Sequence, residues 1–335
     1  MAEGILSAIG NTPLVNISRM FKGNHFQLFA KMEGLNPGGS AKDRVALSIL
    51  KQAMDAGKIG PRTVIIESSS GNLGIAMAQA CRYYGLRFIC VVDPKTTQQN
   101  IRIIKAYDAE IDFITEPDPV TGEFIQARLN RAQALHRAIK DSFWPNQYAN
   151  PANLEAHYRT TMHEIVTELD GRVDYLFCAV STCGTLGGCS GYARDHKIRA
   201  KIMAVDAVGS VIFGGPAGKR LIPGHGAGRR PELFKPDMAD DYIQVTDLEC
   251  VIGCRRLVHR EGILAGGSSG GVLMAVDKFK NRIPRGAVCV AIFHDRGERY
   301  LDTIYSDAWV AEHFGEMPGF WETDTEEEPC ATITY

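Results

Sequence analysis

The sequence predicts an α/β fold with two domains, each built on a mostly parallel sheet flanked by helices. Short apolar runs alternate with amphipathic stretches along most of the chain, which is the pattern of strands joined by crossover helices. A length of 335 residues gives room for about two domains of ordinary size. Hydrophobic residues make up 45% and charged residues 23% of the chain, as in a globular protein with a full core.

Taken in order, the apolar runs predict strands and the stretches between them predict helices. The predicted strands are 26–32, 63–66, 88–92, 111–114, 175–180, 201–205, 242–245 and 287–293. Apolar residues at helical spacing predict one helix that starts near Lys42 and others at 73–84, 101–106, 124–139 and 156–169.

Three further stretches are typical of connections or termini. Residues 141–153 are rich in Asn and Pro and are a candidate crossing between the two domains. Residues 214–236 are dense in glycine, and we predict a mobile loop there. After Trp321 the chain is acidic and interrupted by proline, which predicts a terminus that is disordered or becomes ordered only on contact.

Charge and cysteine usage argue against several classes of partner. The formal net charge of −2 and the lack of a basic run disfavour nucleic acid and anionic membranes as partners. No run approaches the roughly 18 apolar residues of a membrane span, and the first residues do not resemble a signal peptide. Nine cysteines without zinc-ribbon spacing predict buried free thiols in a reducing cytoplasm and no metal site.

Lys42 is the first residue with a chemical indication. The stretch NPGGSAKDR places it where a loop of Asn, Pro and Gly meets the start of a helix. The macrodipole at a helix N-terminus disfavours a cation, so Lys42 is a candidate for a lowered pKa and for amine chemistry. The alternative is a surface lysine in a turn.

Three loops of small residues each follow an apolar run and precede a helical pattern. Residues 67–74 (ESSSGNLG) offer hydroxyls, N–H groups and an amide that suit a carboxylate, whereas the alternative is a helix cap made by Ser69 or Ser70. Residues 181–185 (STCGT) offer a nest of donors that suits a monophosphate, and the alternative is a tight turn without a ligand. Residues 265–271 (AGGSSGG) present Ser268 or Ser269 to a ligand, or simply cap a helix.

Together with Lys42, the three loops describe one ligand, an anionic cofactor whose aldehyde condenses with an amine. Pyridoxal 5′-phosphate requires a lysine for a Schiff base, a cup for its phosphate and a partner for its ring nitrogen. The motifs PGGSAKDR, SSSGNLG, NQYANPAN, STCGT, AGGSSGG and GERYL resemble, in order and spacing, the cysteine synthase-like fold-type II pyridoxal-phosphate enzymes, which have the tryptophan synthase β-like fold. The resemblance runs from Leu6 to Trp309.

The resemblance implies an organisation. We expect a large cofactor-binding domain from residues 1–40 and 150–310, a small mobile domain from 41–149, and a C-terminal tail at 311–335. The family is also homodimeric, and we expect a homodimer here.

The resemblance also implies roles for residues. Lys42 would form the Schiff base and act as general base, Asn72 would contact the ring hydroxyl, and Ser268 would face the pyridine nitrogen. The cofactor phosphate would be held by Ser181, Thr182, Cys183, Gly184 and Thr185, and the substrate α-carboxylate by Ser69, Ser70, Gly71 and Gln147. A neutral partner such as Ser268 makes the cofactor a weaker electron sink, which favours β-elimination followed by addition of a nucleophile.

The identity of that nucleophile depends on departures from the cysteine synthase pattern. Tyr148 and Ser181 stand where cysteine synthases have Phe and Gly, and residues 205–214 with 254–257 resemble synthases of 2,3-diaminopropionate pathways, which serve siderophores and related natural products. Those enzymes join O-phospho-L-serine and L-glutamate with release of phosphate. The other candidate activity is a sulfhydrylase acting on O-phosphoserine or O-acetylserine.

The glutamate reaction requires partners for two more anions than the sulfide reaction, because a phosphate leaves and a second carboxylate arrives. Tyr148 and Ser181 supply hydroxyls, and Arg128 is the first candidate for the cation, with Arg229 the second. The alternative for Arg128 is a solvated arginine on a helix. We interpret Cys183 as a packing substitution and not as a nucleophile.

Overall fold

Two sheets organise the computed structural model, which describes residues 4–21, 23 and 25–316. The larger sheet contains, in spatial order, β1 (Leu14–Asn16), β2 (Gln27–Met32), β10 (Val288–Phe293), β7 (Tyr175–Ala179), β8 (Lys201–Ala207) and β9 (Asp241–Val245). The smaller sheet contains β5 (Glu110–Phe113), β4 (Phe88–Val92), β3 (Val64–Ser68) and β6 (Ser142–Phe143). Every pairing is parallel except that of β1 with β2. The predicted α/β class is therefore confirmed.

Helices connect most of these strands. They are α1 (Lys42–Asp55), α2 (Asn72–Tyr84), α3 (Gln98–Ala106), α4 (Phe124–Ala138), α5 (Ala152–Ala156), α6 (His163–Glu168), α7 (Gly184–Asp195), α8 (Asp247–Glu261), α9 (Gly267–Phe279) and α10 (Asp307–Phe314). Short 3-10 turns occur at Ile5–Ala8, Glu33–Leu35, Pro236–Met238, Lys280–Arg282 and Gly297–Tyr300.

The predicted helix at 156–169 is confirmed from Ala156 to Glu168, but it is not a regular α-helix throughout. Six residues, His157–Met162, form a π-helical segment between α5 and α6. A π segment changes the helical period too little, over too short a length, to be visible in apolar spacing. Strands β1 and β6 were also not predicted, because runs of three and two residues are too short to show a period of two.

The strands are apolar runs in the sequence because hydrophobic clusters pack against both faces of each sheet. In β7, Tyr175 and Phe177 belong to the hydrophobic cluster on one face, and Leu176 and Cys178 belong to the cluster on the other. The smaller sheet shows the same alternation, with Ile65 on the side of α1 and α2 and its neighbours on the side of α4. Since successive strand residues point to opposite faces, an uninterrupted apolar run is what a doubly covered sheet needs.

The carboxyl edges of the two sheets carry most of the loops identified in the sequence, whereas the loop at 265–271 follows helix α8 and not a strand. The loops that begin after β2, β7 and β10 leave the larger sheet at one edge, because these strands are parallel neighbours. The loops after β3 and β6 leave the smaller sheet in the same way. Ligands of open α/β sheets bind at this edge, so the fold assembles the candidate residues there.

Other predictions concern cysteines, membrane spans and the terminus. The eight cysteines within the described residues are all buried free thiols. None of the helices described here has both the length and the apolar character to span a membrane. The segment predicted as a tail from residue 311 begins inside α10, which ends at Phe314, and the acidic stretch after Trp321 lies outside the described residues.

Candidate active site

Lys42 is the first residue of α1, as predicted. The turn before it needs a glycine at position 39, where φ is +86°, and the backbone N–H of Ala41 donates to His294 O at 2.8 Å. The Lys42 side chain is partly buried, and its Nζ donates to Thr182 Oγ1 at 3.4 Å. Burial lowers the pKa of Lys42 to about 8, so an appreciable fraction of the amine is neutral near physiological pH. The alternative of a solvated surface lysine is wrong.

The loop at 181–185 forms a cup at the N-terminus of α7. Cys183 adopts the left-handed conformation with φ of +64°, which turns the chain into the helix at Gly184. A Cβ at position 184 would lie 1.9 Å from Asn153 Oδ1, so only glycine fits. Ser181 and Thr185 are partly buried, and Thr185 Oγ1 is 3.3 Å from His157 Nε2. Helix N–H groups with flanking hydroxyls suit a monophosphate.

Cys183 itself is an inert thiol. It is 2% exposed, and burial raises its pKa to about 12, so the thiolate needed for nucleophilic attack is scarce at neutral pH. The interpretation as a packing substitution agrees with this environment.

Asn153 connects this cup to the Gln147 segment. Its Nδ2 donates to Thr182 Oγ1 at 3.1 Å and to Gln147 O at 2.9 Å. Its Oδ1 is buried without a hydrogen-bond partner among the described residues. A buried amide oxygen of this kind is a candidate acceptor for a ligand group.

Asn72 is the first residue of α2, and its side chain is hydrogen-bonded to residues that follow β10 of the larger sheet. Its Nδ2 donates to Asp295 Oδ2 at 2.7 Å, and Arg299 Nη1 donates to its Oδ1. The backbone N–H of Gly266 donates to Asp295 O at 3.0 Å, which brings the start of α9 to the same place. Ser268, the second residue of α9, is 8% exposed, so the structure gathers the Asn72 and Ser268 loops around Asp295.

The segments expected to bind the substrate carboxylate are joined by Glu67, the penultimate residue of β3. Glu67 accepts from the backbone N–H of Ser68 at 2.7 Å and of Gln147 at 3.3 Å. The N-cap of α2 is Gly71, not Ser69 or Ser70. The Ser69 hydroxyl accepts from Gly74 N in the first turn of the helix at 2.9 Å, and its own proton can still be donated. Ser70 and Gly71, the remaining members of this loop, are partly buried.

Arg128 is buried, so the alternative of a solvated helix arginine is wrong. It is 7% exposed, and its Nε lies 3.0 Å from Asp93 Oδ2. Burial raises the pKa of Tyr148, and the charge of Arg128 acts in the opposite direction. Arg229 is exposed and donates to Gln126 Oε1 at 3.2 Å.

Sequence reasoning gave no role to several residues that shape this site, namely Glu67, Asn153, Asp295 and Arg299. The NPAN and GERYL motifs contain two of these, Asn153 and Arg299, but a motif does not show what its members touch. Asp295 contacts Asn72 across 223 positions of sequence, and only the folded chain shows such a contact.

These residues fit pyridoxal phosphate. The neutral-prone amine of Lys42 lies beside Thr182, at the edge of a cup that suits one phosphate group, and Asn72 and Ser268 meet at the neighbouring loops. Two mostly parallel sheets with a lysine and a phosphate cup at their carboxyl edges define a cofactor-dependent enzyme. Residues 5–295 match the family model described as pyridoxal-phosphate dependent enzyme. The chain belongs to this family, and pyridoxal phosphate is its cofactor.

Two relatives that share one name are similar to this chain over most of its length. The chain is 46% identical over 311 residues to an N-(2-amino-2-carboxyethyl)-L-glutamate synthase of Ralstonia nicotianae, covering 93% of this chain and 92% of that one. It is 45% identical over 314 residues to a protein of the same name from Cupriavidus metallidurans, with the same coverage.

Solved structures share the fold at lower identity. An O-acetylserine dependent cystathionine β-synthase from Helicobacter pylori has a TM-score of 0.85 and 31% identity, covering 91% of this chain and 99% of that one. A hydrogen sulfide-producing enzyme from Fusobacterium nucleatum has a TM-score of 0.84 and 32% identity, covering 90% of this chain and 100% of that one. These neighbours confirm the expected fold-type II architecture.

Proposed function

We propose that this enzyme joins O-phospho-L-serine and L-glutamate to give N-(2-amino-2-carboxyethyl)-L-glutamate and phosphate. The observation that carries the proposal is the similarity, over nearly the full length of both chains, to two synthases with this product in their name. The buried guanidinium of Arg128 supports it, because a sulfide nucleophile would need no such cation.

Pyridoxal phosphate, when bound, condenses with an amino group and withdraws electrons from the adjoining carbon. The amine of Lys42 removes the α-proton of the substrate, holds it on Nζ and returns it after the nucleophile has added. A pKa of about 8 suits both steps near neutral pH. The hydroxyl of Thr182 lies 3.4 Å from Nζ and orients the amine.

The remaining residues bind and orient. Hydroxyls and helix N–H groups of the cup hold the cofactor phosphate, through Ser181, Thr182, Cys183, Gly184 and Thr185. Asn72 contacts the ring hydroxyl, and Ser268 faces the ring nitrogen as a neutral partner. The substrate α-carboxylate is bound by the N-terminus of α2 with Ser69, Ser70, Gly71 and Gln147, since a helix N-terminus favours an anion.

Arg128, Tyr148 and Ser181 meet the two additional anions of the reaction. Arg128 is the only one of the three with a permanent charge, and its burial strengthens its attraction for an anion because screening by water is reduced. Asp93 partly neutralises that charge at 3.0 Å, so the hydroxyls of Tyr148 and Ser181 are needed as further donors.

The domain organisation, oligomeric state, location and use of the product are proposed from the same resemblance. Residues 1–40 and 150–310 form the large domain and residues 41–149 the small mobile one, which is supported by the shared core of α1 and α2 with the strands of the smaller sheet. The enzyme acts as a homodimer in the cytoplasm, and its product is a precursor of 2,3-diaminopropionate for a siderophore or related compound.

The test is to identify the product made from O-phospho-L-serine by the purified enzyme. With glutamate we expect phosphate release and a product of the mass of N-(2-amino-2-carboxyethyl)-L-glutamate. Lys42→Ala should abolish both, whereas Lys51→Ala, an exposed lysine on the same helix, should leave them unchanged. Turnover only when sulfide replaces glutamate would overturn the proposal and indicate a sulfhydrylase.

A further inference from the structure

The segment 294–300 after β10 touches both the loop before Lys42 and the start of α2. Two of its charged residues, Asp295 and Arg299, have no part in the mechanism above. We infer that Arg299 and Asp295 are positioning residues, which together fix the carboxamide of Asn72 as a hydrogen-bond donor toward the cofactor.

The first step concerns the two ends of the Asn72 carboxamide. Arg299 Nη1 donates to Asn72 Oδ1, and a guanidinium can only donate. Asn72 Nδ2 donates to Asp295 Oδ2 at 2.7 Å, where a carboxylate accepts. Rotation of the amide by half a turn would set N–H against N–H at one end and oxygen against oxygen at the other. The partners therefore permit one orientation, in which Nδ2 is the donor end of the carboxamide and carries a second N–H besides the one given to Asp295.

The second step concerns Asp295, which must remain an acceptor. Asp295 is 4% exposed, and Tyr300 OH donates to the same Oδ2 at 2.5 Å. Burial raises the pKa of Asp295, and the hydrogen bonds from Tyr300 and Asn72 oppose that shift. Oδ2 accepts in either protonation state, because a proton would reside on Oδ1, which has no hydrogen-bond partner among the described residues. Gly266 allows this placement, because a Cβ there would lie 1.9 Å from Asp295 Oδ1.

The third step concerns the other arm of Arg299. Its Nη2 donates to Gly38 O, in the turn that leads to Lys42, and a Cβ on Gly39 would lie 2.9 Å from the same nitrogen. One planar guanidinium thus connects the Lys42 turn, which follows β2 of the larger sheet, to the first residue of α2, which follows β3 of the smaller sheet. Its fork geometry sets the spacing between Lys42 and Asn72 in a way that a lysine could not.

The orientation matters because the ring hydroxyl of pyridoxal phosphate ionises readily. An N–H from Asn72 stabilises the ionised oxygen, whereas the amide oxygen would repel it. Hydrogen bonds to a charged group are among the stronger ones. Loss of the fixed orientation should therefore weaken cofactor binding about tenfold and favour the neutral hydroxyl form, which absorbs at shorter wavelength.

The experiment compares wild-type holoenzyme with Arg299→Met by equilibrium dialysis of pyridoxal phosphate and by the visible spectrum of the bound cofactor across pH. We expect about tenfold weaker binding and a shift of absorbance to shorter wavelength at a given pH. The matched control is Arg296→Met, because Arg296 lies in the same segment but donates to Gly34 O at 2.6 Å instead of to Asn72. It should keep wild-type affinity and spectrum, and equal shifts in both variants would overturn the inference.

A second comparison separates positioning from general loss of structure. If Arg299 acts through Asn72, Arg299→Met should reduce cofactor affinity less than about twofold further in an Asn72→Ala background. Independent tenfold losses that multiply would overturn the inference. If Arg299→Met does not fold, Arg299→Lys is the substitute, because it keeps the charge without the planar fork. It should show the same spectral shift. A wild-type spectrum in that variant would overturn the inference. These measurements need no amino-acid substrate, so their outcome is independent of the proposed reaction.

Discussion

Two buried charged clusters, one beneath each half of the site, differ in how their charges are balanced. The Glu33 network contains Lys31, Glu33, Arg44 and Glu164 and lies below the helix that begins with Lys42. The Glu67 cluster contains Glu67, Asp93 and Arg128 and lies below the segments expected to bind substrate. The first has two cations for two carboxylates, whereas the second has one cation for two.

The balanced network is held by short contacts throughout. Arg44 Nε lies 2.6 Å from Glu33 Oε2, Arg44 Nη1 lies 2.5 Å from Glu164 Oε1, and Lys31 Nζ lies 2.7 Å from Glu164 Oε2. Burial by itself would raise the pKa of Glu33, but Arg44, Thr12 and Lys31 together outweigh burial and the pKa is lowered. These carboxylates stay ionised at neutral pH, so the network is a fixed support for α1.

The unbalanced cluster behaves differently. Burial raises the pKa of Glu67 to about 7, against hydrogen bonds from Ser68 and Gln147 N–H groups and from Trp144, and against the charge of Arg128. Arg128 also pairs with Asp93 at 3.0 Å, so its charge stabilises the ionised form of Glu67 less than it would without Asp93. The Glu33 network below Lys42 therefore keeps its charges near neutral pH. The Glu67 cluster below the substrate segments changes its charge there.

The largest expected effect comes from breaking the balanced network. Glu33→Gln leaves buried Arg44 and Lys31 with too little negative charge, so we expect the free energy of unfolding to fall by about 3–5 kcal/mol, measured by urea unfolding at pH 7. Glu110→Gln is the control, because its ion pair with Arg87 at 2.5 Å is half exposed and should contribute less than about 1 kcal/mol. Equal losses in the two variants would contradict the distinction.

The next effect is a dependence of stability on pH at Glu67. The folded protein keeps the Glu67 proton up to about pH 7, whereas the unfolded chain releases it near the ordinary value of 4.5. Between these values the folded state binds more protons, so this residue lowers stability as pH rises. Glu67→Gln removes the titration, and its unfolding free energy relative to wild type should increase by up to about 3 kcal/mol from pH 4.5 to 8.

The same pH series on Glu33→Gln is the matched comparison for that prediction. Since the folded pKa of Glu33 is lowered, the difference between Glu33→Gln and wild type should stay nearly constant from pH 6 to 8. A constant difference for Glu67→Gln as well would show that the two clusters do not differ in titration.

The smallest effect concerns the hydroxyls of Tyr148 and Ser181. Replacing Tyr148 with Phe and Ser181 with Gly together should lower kcat/KM for glutamate about tenfold or more, with a smaller change in cofactor affinity, because both hydroxyls are proposed to meet substrate anions. Tyr242→Phe, at a residue 46% exposed on β9, is the control. Unchanged glutamate kinetics in the double variant would remove both residues from the substrate site.

Particular residues show how far prediction from sequence could reach. The loop STCGT was predicted as a phosphate cup, and the structure places it at the N-terminus of α7, because turn chemistry is local. Arg128 remained undecided between a solvated residue and a buried cation. Its helix has few fully buried positions, and only the approach of Asp93 from the end of β4 shows that the guanidinium is enclosed.

The sequence by itself determined the α/β class, most strands and helices, and the loops with their cofactor, because these depend on side-chain periodicity and on turn residues close together in the chain. The tertiary structure alone decided which loops touch. Since β2 lies beside β10, Arg299 reaches Gly38 and Asn72 from more than two hundred positions away. Likewise, only packing decided that Glu33 is balanced and Glu67 is not, because the pKa of a buried carboxyl group depends on neighbours brought from distant parts of the chain.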